Sequence, residues 1–499
     1  MQEVDVIVIG AGLAGLAAAR RLAVHSRVLV LEASNRLGGR AHTNRVHGVP
    51  LEHGCEFIHG ANAITRRLCE ELGMETVPVT RWENLWWASA AGHAAERRSN
   101  LPAIEAQTLE AVETAVESAL ADPLANGDMS LRAWCLAHAR LDPAGLSAAE
   151  VLISQTCCTS LDGMSVSDMQ LDERNGCDER NEARLAGGYA ALVAALADPS
   201  TPTPRALLED GPGKFPTPPA SVGSMRILTG AQAVRVVWQP DDGSQDDRSH
   251  GPHVCAVKVL DGRTFSSAAV VCAVPLRVVQ QSSISFSPPL PAAKRAAIDA
   301  FVVHPATKVF VAFDAPQWPP DATFLAHPGT LCRWFFSPLD GGTVAEAYVT
   351  VERARQVDAM DLPDLTELAL SELANLLGRD RAELAEHHRW THRMSWAAEP
   401  HIGGGYASVR PGAAADCRQG ACGAHRPTLL GGRGDGLSLE SADGARGDRE
   451  WAPSGKGTRG RAVQPLYLTT RPERTSEARG LANLRYKLES RTRVANTVG

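Results

Sequence analysis

The chain opens on a short apolar run, Val4 to Ile9, interrupted only by Asp5 and ended by Gly10. An alanine- and leucine-rich stretch, Leu16 to Ala23, has helical character and leads into a second apolar run, Val28 to Leu31, closed by Glu32. Such short runs suit strands buried on both faces, so the pattern predicts strand, turn, helix, strand. Residues 76–184 read as mostly helical, with Leu109, Val112, Ala115, Val116, Ala119 and Leu120 at helical spacing. Lys308 to Phe313 is an apolar strand with one charge at its start, and Leu365 to Leu377 repeats the helical spacing. Asp198 to Ser224 is rich in proline and reads as an exposed loop; Gln239 to His253 reads as a polar hairpin tip. No internal repeat is evident.

The turn between the first strand and helix is Gly10-Ala11-Gly12-Leu13-Ala14-Gly15. Gly10 permits a tight turn, Gly12 lets backbone approach a pyrophosphate, and Gly15 lets the helix pack closely on the sheet. The helix N-terminus then faces the phosphates. Glu32 lies about twenty residues beyond the first glycine, where an acid accepts hydrogen bonds from a ribose. The arrangement predicts a dinucleotide-binding unit.

A chain of 499 residues with 44% hydrophobic content is long enough for more than one domain. A net charge of −7 and pI near 6.2 give no reason to expect nucleic acid or an anionic membrane. The eleven cysteines are scattered without metal-type spacing, which suggests a reducing compartment and no metal. No apolar run approaches the roughly 18 residues needed to span a bilayer. The N-terminus carries Glu3 and Asp5 and does not read as a signal peptide. A cytoplasmic protein is expected.

Leu31-Glu32-Ala33-Ser34-Asn35-Arg36-Leu37-Gly38-Gly39-Arg40-Ala41-His42-Thr43 resembles the LEA-x-x-R-x-GGR-x-x-T extension of FAD-dependent amine oxidases. Further segments follow in family order. Leu51 to Gly60 is similar to ELGAEFIHG, Leu185 to Val193 to GGYxALV, and Val270 to Leu276 to VVVTVPL. Phe286 to Pro291 is similar to FxPPLP, Lys308 to Phe313 to KVxxxF, and Trp396 to Tyr406 to WxxDPxxxGxY. The resemblance implies an α/β fold: a discontinuous, Rossmann-like FAD-binding domain of the glutathione-reductase type beside an α+β substrate domain. It places the FAD domain at 1–75, 185–285 and 390–415, and the substrate domain at 76–184 and 286–389. It implies FAD rather than NAD, contacted by Gly10, Gly12, Gly15, Glu32, Ala33, Arg36, Gly38, Gly39, Arg40 and Val234.

The same resemblance makes Lys308 the lysine that holds a water against the flavin. The other reading is an edge-strand lysine that snorkels to solvent. Tyr406 resembles one wall of an aromatic cage around the amine, and a tyrosine face attracts a cation. Trp396 packs beside the flavin or is simply core. His59 lies in the substrate tunnel of the polyamine-oxidase branch, or is a satisfied structural histidine. Glu56 attracts a cationic amine or bonds to backbone. Covalently flavinylated relatives carry a cysteine just before the cage tyrosine; here Gly405 stands there, so non-covalent FAD is expected. The implied reaction oxidises a small-molecule, polyamine-like amine to an imine and passes the electrons to O2, releasing H2O2. An amino-acid oxidase or desaturase is the alternative within the superfamily, and a flavin-deficient, non-catalytic remnant is the alternative outside it.

The family's C-terminal FxGE.T and HGA..SG segments are missing from the written sequence, where Gly431 to Gly436 and their surroundings are rich in Gly, Arg and Asp. Moving the reading frame forward by one base from about Asp416 lets Leu429 to Asp435 encode CWAGEAT and Ser441 to Trp451 encode PQTVHGAIESG. Two steps have little freedom: Trp451 before alanine must give Gly, and Asp435 before glycine gives Thr or Met. Residues 416–499 are therefore expected to be a frame-shifted, unstructured tail.

Overall fold

The computed structural model describes residues 4–61, 63–79, 84–125, 127–174, 181–209, 224–238, 255–336, 342–413 and 428–431. The opening pattern forms strand β1 (Val6–Ile9), helix α1 (Leu13–Leu22) and strand β2 (Arg27–Leu31). They belong to a five-stranded sheet in the order Ser224–Leu228, β2, β1, Ala269–Cys272, Thr428–Gly431. The first three pairings are parallel, and both central strands are buried on both faces. Alternation divides their side chains. Val6, Val8, Val28 and Val30 pack with Leu16, Ala19 and Leu192, whereas Ile7, Ile9, Leu29 and Leu31 pack with Val236, Val257 and Val259 of a four-stranded sheet. Each such aliphatic side chain contributes about 1.5–3 kcal/mol on full burial.

Strand β3 (Thr43–Val46) and strand β4 (Val49–Glu52) form an antiparallel hairpin. Helix α2 (Ala103–Ala121) follows and buries Leu109, Val112, Ala115 and Ala119, the face its spacing predicts. A seven-stranded sheet contains the neighbouring strands β5 (Ala306–Phe313) and β6 (Val344–Thr350). Helix α3 (Leu362–Leu377) starts at Asp361, whose side chain accepts from the Asp364 N–H at 2.8 Å, and stops at Gly378 with φ +62°. Strand β7 (His388–Ser395) closes the sheet by pairing antiparallel with β5.

One face of the seven-stranded sheet carries Val309, Val311, Ala345, Ala347 and Val349 into a core shared with α2 and α3. The opposite face carries Lys308, Phe310, Glu346 and Tyr348: in the register, Lys308 faces Tyr348 and Phe310 faces Glu346. Val46, Val49 and Leu51 of the β3–β4 hairpin pack on this second face beside Phe310 and Met394. This alternation is what places charge at the junction of the two sheet systems.

Three expectations need correction. The assignment of residue 390 onward to the FAD half fails for β7, because its ladder is with β5. Ser285–Ser287 pairs parallel with Arg235–Val237, which takes the four-stranded sheet just past residue 285. Within the proline-rich stretch Ala206–Glu209 is helical, and Ala206 and Leu207 are buried because their apolar side chains join the core around α1. The rest of that stretch, from 210 to 223, and the hairpin tip, Gln239 to His253, lie outside the described residues. So does the tail, except that Thr428–Gly431 pairs antiparallel with Ala269–Cys272 and satisfies the backbone on that edge.

Candidate functional site

The glycine turn has two kinds of glycine. A Cβ on Gly15 would lie 1.9 Å from the Gly10 carbonyl oxygen, so this position is closed by the protein itself. A Cβ on Gly12 would meet only the Gly38 carbonyl oxygen, at 3.9 Å. Gly12 is therefore open toward something other than protein. It is the N-cap of α1, with no side-chain cap and no acidic residue in the first turn, which leaves helix N–H groups for a phosphate. Gly12 and Gly38 form a parallel bridge, so Gly38 and Gly39, both at positive φ, wall the turn from the other side.

Glu32 is buried beside this turn. One carboxylate oxygen accepts from the Ala11 N–H at 2.7 Å, and the other accepts from the Ser34 N–H and hydroxyl, each at 2.9 Å. A carboxylate offers about four acceptor sites, so capacity for a ribose hydroxyl remains. Ala33 continues the same turn. Arg36 donates to the Gly39 carbonyl at 2.6 Å and lies 5.9 Å over the Trp396 ring. Arg40 donates to the Gly405 carbonyl, joining the glycine-rich loop to the segment before Tyr406. Val234 sits at the bulge between Ala233 and Arg235, its carbonyl accepting from the Ser285 hydroxyl. The open glycine cradle, the uncapped helix and the buried acid fit the phosphates and ribose of a dinucleotide.

The second half of the site is built from charge. Lys308 is 5% exposed, and an unpaired ammonium would be costly there. The Glu52 carbonyl accepts from it at 2.9 Å and Glu56 at 2.8 Å, and Glu346 Oε1 lies 2.7 Å away as an ion-pair contact. Arg184 Nε donates to the other oxygen of Glu56 at 2.8 Å and covers the Phe57 ring. Burial alone would push the Lys308 ammonium down, but Glu346 and Glu56 outweigh it and hold the pKa above its ordinary value. Burial would raise Glu56, but Lys308 and Arg184 outweigh it and hold that carboxyl well below its ordinary range. Glu346 goes the other way: burial, then Glu56, push it up to about 8 against the pull of Lys308.

This arrangement decides the edge-strand reading of Lys308. The side chain does not snorkel, and its hydrogens point at protein acceptors. Glu346 and Arg184 escaped sequence reading, although the signal that singled out Lys308 was present for Glu346 as well. It is a lone acid in the apolar run Val344-Ala345-Glu346-Ala347-Tyr348-Val349. An unpaired acid in a buried strand implies a buried cation, and only folding shows which one. Arg184, next to the recognised Leu185 segment, had no such signal.

The remaining expected residues fall around this cluster. Trp396 is buried core: its indole donates to the His53 carbonyl at 2.8 Å and packs against Gly54. His59 keeps 43% of its side chain exposed, and its Nδ1 pairs with the buried Glu182 at 2.8 Å. Tyr406 is 45% exposed, and desolvation pushes its pKa up to about 12. A Cβ on Gly405 would lie 2.9 Å from the Cys158 sulfur; burial pushes that thiol up to about 12, so it stays protonated and poorly nucleophilic. Behind Phe310, His53 stacks on His392 and meets His42 edge-on, each at 5.0 Å. Both His53 ring nitrogens are buried without hydrogen-bond partners, and burial pushes its pKa down to about 3. Among the described residues no group of three or more His, Cys, Asp or Glu side chains is placed to hold a metal ion. No helix among them is long and apolar enough to cross a membrane.

Residues 13–435 match the flavin-containing amine oxidoreductase family, and the chain belongs to that family. It is similar to polyamine oxidase 4 of Oryza sativa subsp. japonica, 24% identical over 436 residues, covering 83% of this chain and 80% of that protein. It is similar to putrescine oxidase of Kocuria rosea, 27% identical over 421 residues, covering 81% of this chain and 86% of the relative. The fold is shared with a putrescine oxidase solved with putrescine bound: the TM-score is 0.65 at 20% identity, covering 83% of this chain and 91% of that one. The protein is thus an oxidoreductase with a flavin cofactor, which is FAD held without a covalent bond.

Proposed function

We propose that this protein oxidises a small amine of the diamine or polyamine class to the imine, with dioxygen as final electron acceptor and hydrogen peroxide as product. The observation that carries the reading is the buried Lys308–Glu56–Glu346–Arg184 cluster, on the strand face that meets the nucleotide half. FAD, when bound, supplies the acceptor for the amine's hydride equivalent. Gly12, Gly38, Gly39 and the α1 N-terminus would hold its pyrophosphate, and Glu32 its ribose. Tyr406, partly exposed, would offer a π face to the amine. Glu56 and Glu346 give the chamber acceptors, and Lys308 positions them. His59, fixed by Glu182, stands at the rim. Arg184 is committed to Glu56, which speaks against a substrate carboxylate at this place and so against the amino-acid oxidase alternative.

Peroxide release by FAD-loaded protein should be highest with a diamine or polyamine, lower with a monoamine and absent with L-amino acids. Turnover of L-amino acids alone, or of none of these by protein with bound FAD, would refute the reading. A cytoplasmic site of action is part of this proposal, supported by the scattered cysteines. For residues 416–499 we keep the frame-shift reading; the nucleotide sequence tests it, since a one-base shift must restore an uninterrupted GEAT and HGAIESG.

A further inference from the structure

A cleft runs from the protein surface at Pro50 and Ala186 down to Glu56, Arg184, Phe310, Phe335 and Glu346. Glu52 lines its wall with one carboxylate oxygen buried and unpartnered, the other accepting from the Thr43 hydroxyl at 3.0 Å. The buried floor and the exposed mouth together form a route between the Lys308 cluster and solvent, separate from the nucleotide turn. Glu346 is the floor group with spare capacity. Glu56 is engaged by Lys308 and Arg184, whereas Glu346 lies within hydrogen-bonding reach of Glu56 and has, at Oε1, the Lys308 ion pair but no aligned hydrogen bond.

We propose that Glu346 takes up the proton that the amine substrate must lose before it is oxidised, with Lys308 as the bridge. The inference rests on the amine-oxidising reading above. In the step, one N–H bond of the substrate ammonium breaks, Lys308 receives that proton as it passes one of its own to Glu346, and an O–H bond forms on Glu346. No electrons move. The overall change, RCH2NH3+ plus O2 to RCH=NH2+ plus H2O2, conserves protons, so the one shed early is needed again when dioxygen is reduced. A carboxyl that holds it between those events, open to water through the cleft, meets that need. The charged and titratable groups around Glu346 fix its behaviour. Lys308 on β5, Glu56 and Arg184 touch the cluster, Glu52 faces it from β4, and Tyr348 follows on the same strand face. Arg333 stacks on Phe335, the partner of Glu346 in the ladder, and His392 on β7 lies beyond Phe310. Neutral Glu346 leaves one net positive charge among the four cluster members; its ionisation balances them.

Two measurements on the full chain test this. Infrared difference spectra taken across about pH 6 to 10, a range around a near-neutral catalytic carboxyl, should show a protonated carboxyl band that disappears as pH rises. At a pH where the band has disappeared, anaerobic addition of amine should restore it in the wild type and in Glu52→Gln, and no band should appear in Glu346→Gln at any pH. Its survival in Glu346→Gln would overturn the proposal. The second measurement is the anaerobic rate of flavin bleaching by a diamine. It should rise with pH in the wild type, and in Glu346→Gln it should lose that step and fall about 10²-fold, with Glu346→Asp restoring the pH step. A Glu346→Gln variant that keeps the wild-type pH step would also overturn it. If no amine bleaches the flavin while the infrared band behaves as stated, the reaction assignment fails and the protonated Glu346 stands.

Discussion

The nucleotide turn and the Lys308 cluster lie in one protein but are made in opposite ways. The turn is built within about thirty consecutive residues, the length of one βαβ unit, and works through backbone: open glycine, uncapped helix, one acid. The cluster collects Glu56, Arg184, Lys308 and Glu346 from four separate stretches and works through side chains that would be unstable alone. A contiguous backbone device tolerates loss of ligand without loss of fold. A buried charge network is structural and functional at once, because removing one member strands the others.

The largest effect should separate two glycines in the same turn. Gly15→Ala drives a methyl into the Gly10 carbonyl, so little folded protein is expected by circular dichroism and gel filtration. Gly12→Val meets no protein atom closer than 3.9 Å from its Cβ, so it should fold with the melting temperature of flavin-free wild type yet purify without flavin. Flavin retained by Gly12→Val would remove the turn from the site. On the other side, Lys308→Met leaves Glu346 without its buried cation and Glu56 with Arg184 alone. It should cost about 3–5 kcal/mol in denaturant unfolding and slow amine turnover. An unchanged unfolding midpoint would show that the network does not hold the fold.

Two smaller effects sharpen the comparison. Glu32→Ala removes acceptors for Ala11, Ser34 and the ribose, and should weaken FAD by about 1.5–3 kcal/mol, the worth of hydrogen bonds to a charged group, while the fold survives. Equal FAD affinity in a titration would take Glu32 out of the binding site. The smallest effect concerns acid. The folded pKa of His53 lies at about 3, below its ordinary 6.5, so its stabilising contribution is complete above 6.5 and is lost as pH falls toward 3. His53→Phe should flatten that part of the stability curve; an equally steep acid loss in the variant would assign it to other groups.

How legible each half was follows from the same contrast. Gly10, Gly12, Gly15 and Glu32 could be read directly, because spacing along one strand–helix–strand unit is spacing in space. So could β5 and α3, from their apolar spacing. Lys308 was visible as an anomaly, but its partners were not, since pairing Phe310 with Glu346 is a matter of sheet register between distant strands. The pairing of Arg36 and Arg40 with backbone carbonyls, and the three-histidine stack, depend on loop packing that no periodicity encodes. Residue 390 was assigned to the wrong side because β7 directly precedes the recognised Trp396 segment while its ladder partner lies about eighty residues earlier, and pairing between strands so distant is set by tertiary packing.

The most direct test of the account joins both halves in one cuvette. Full-length protein loaded with FAD should be yellow, absorbing near ~450 nm, and anaerobic addition of a diamine should bleach that band before air restores it. Gly12→Val should show no band at all, and Lys308→Met a band that bleaches slowly. A band that forms on wild-type protein but stays unchanged with every amine would contradict the central claim that the buried charge cluster serves amine oxidation at a bound flavin.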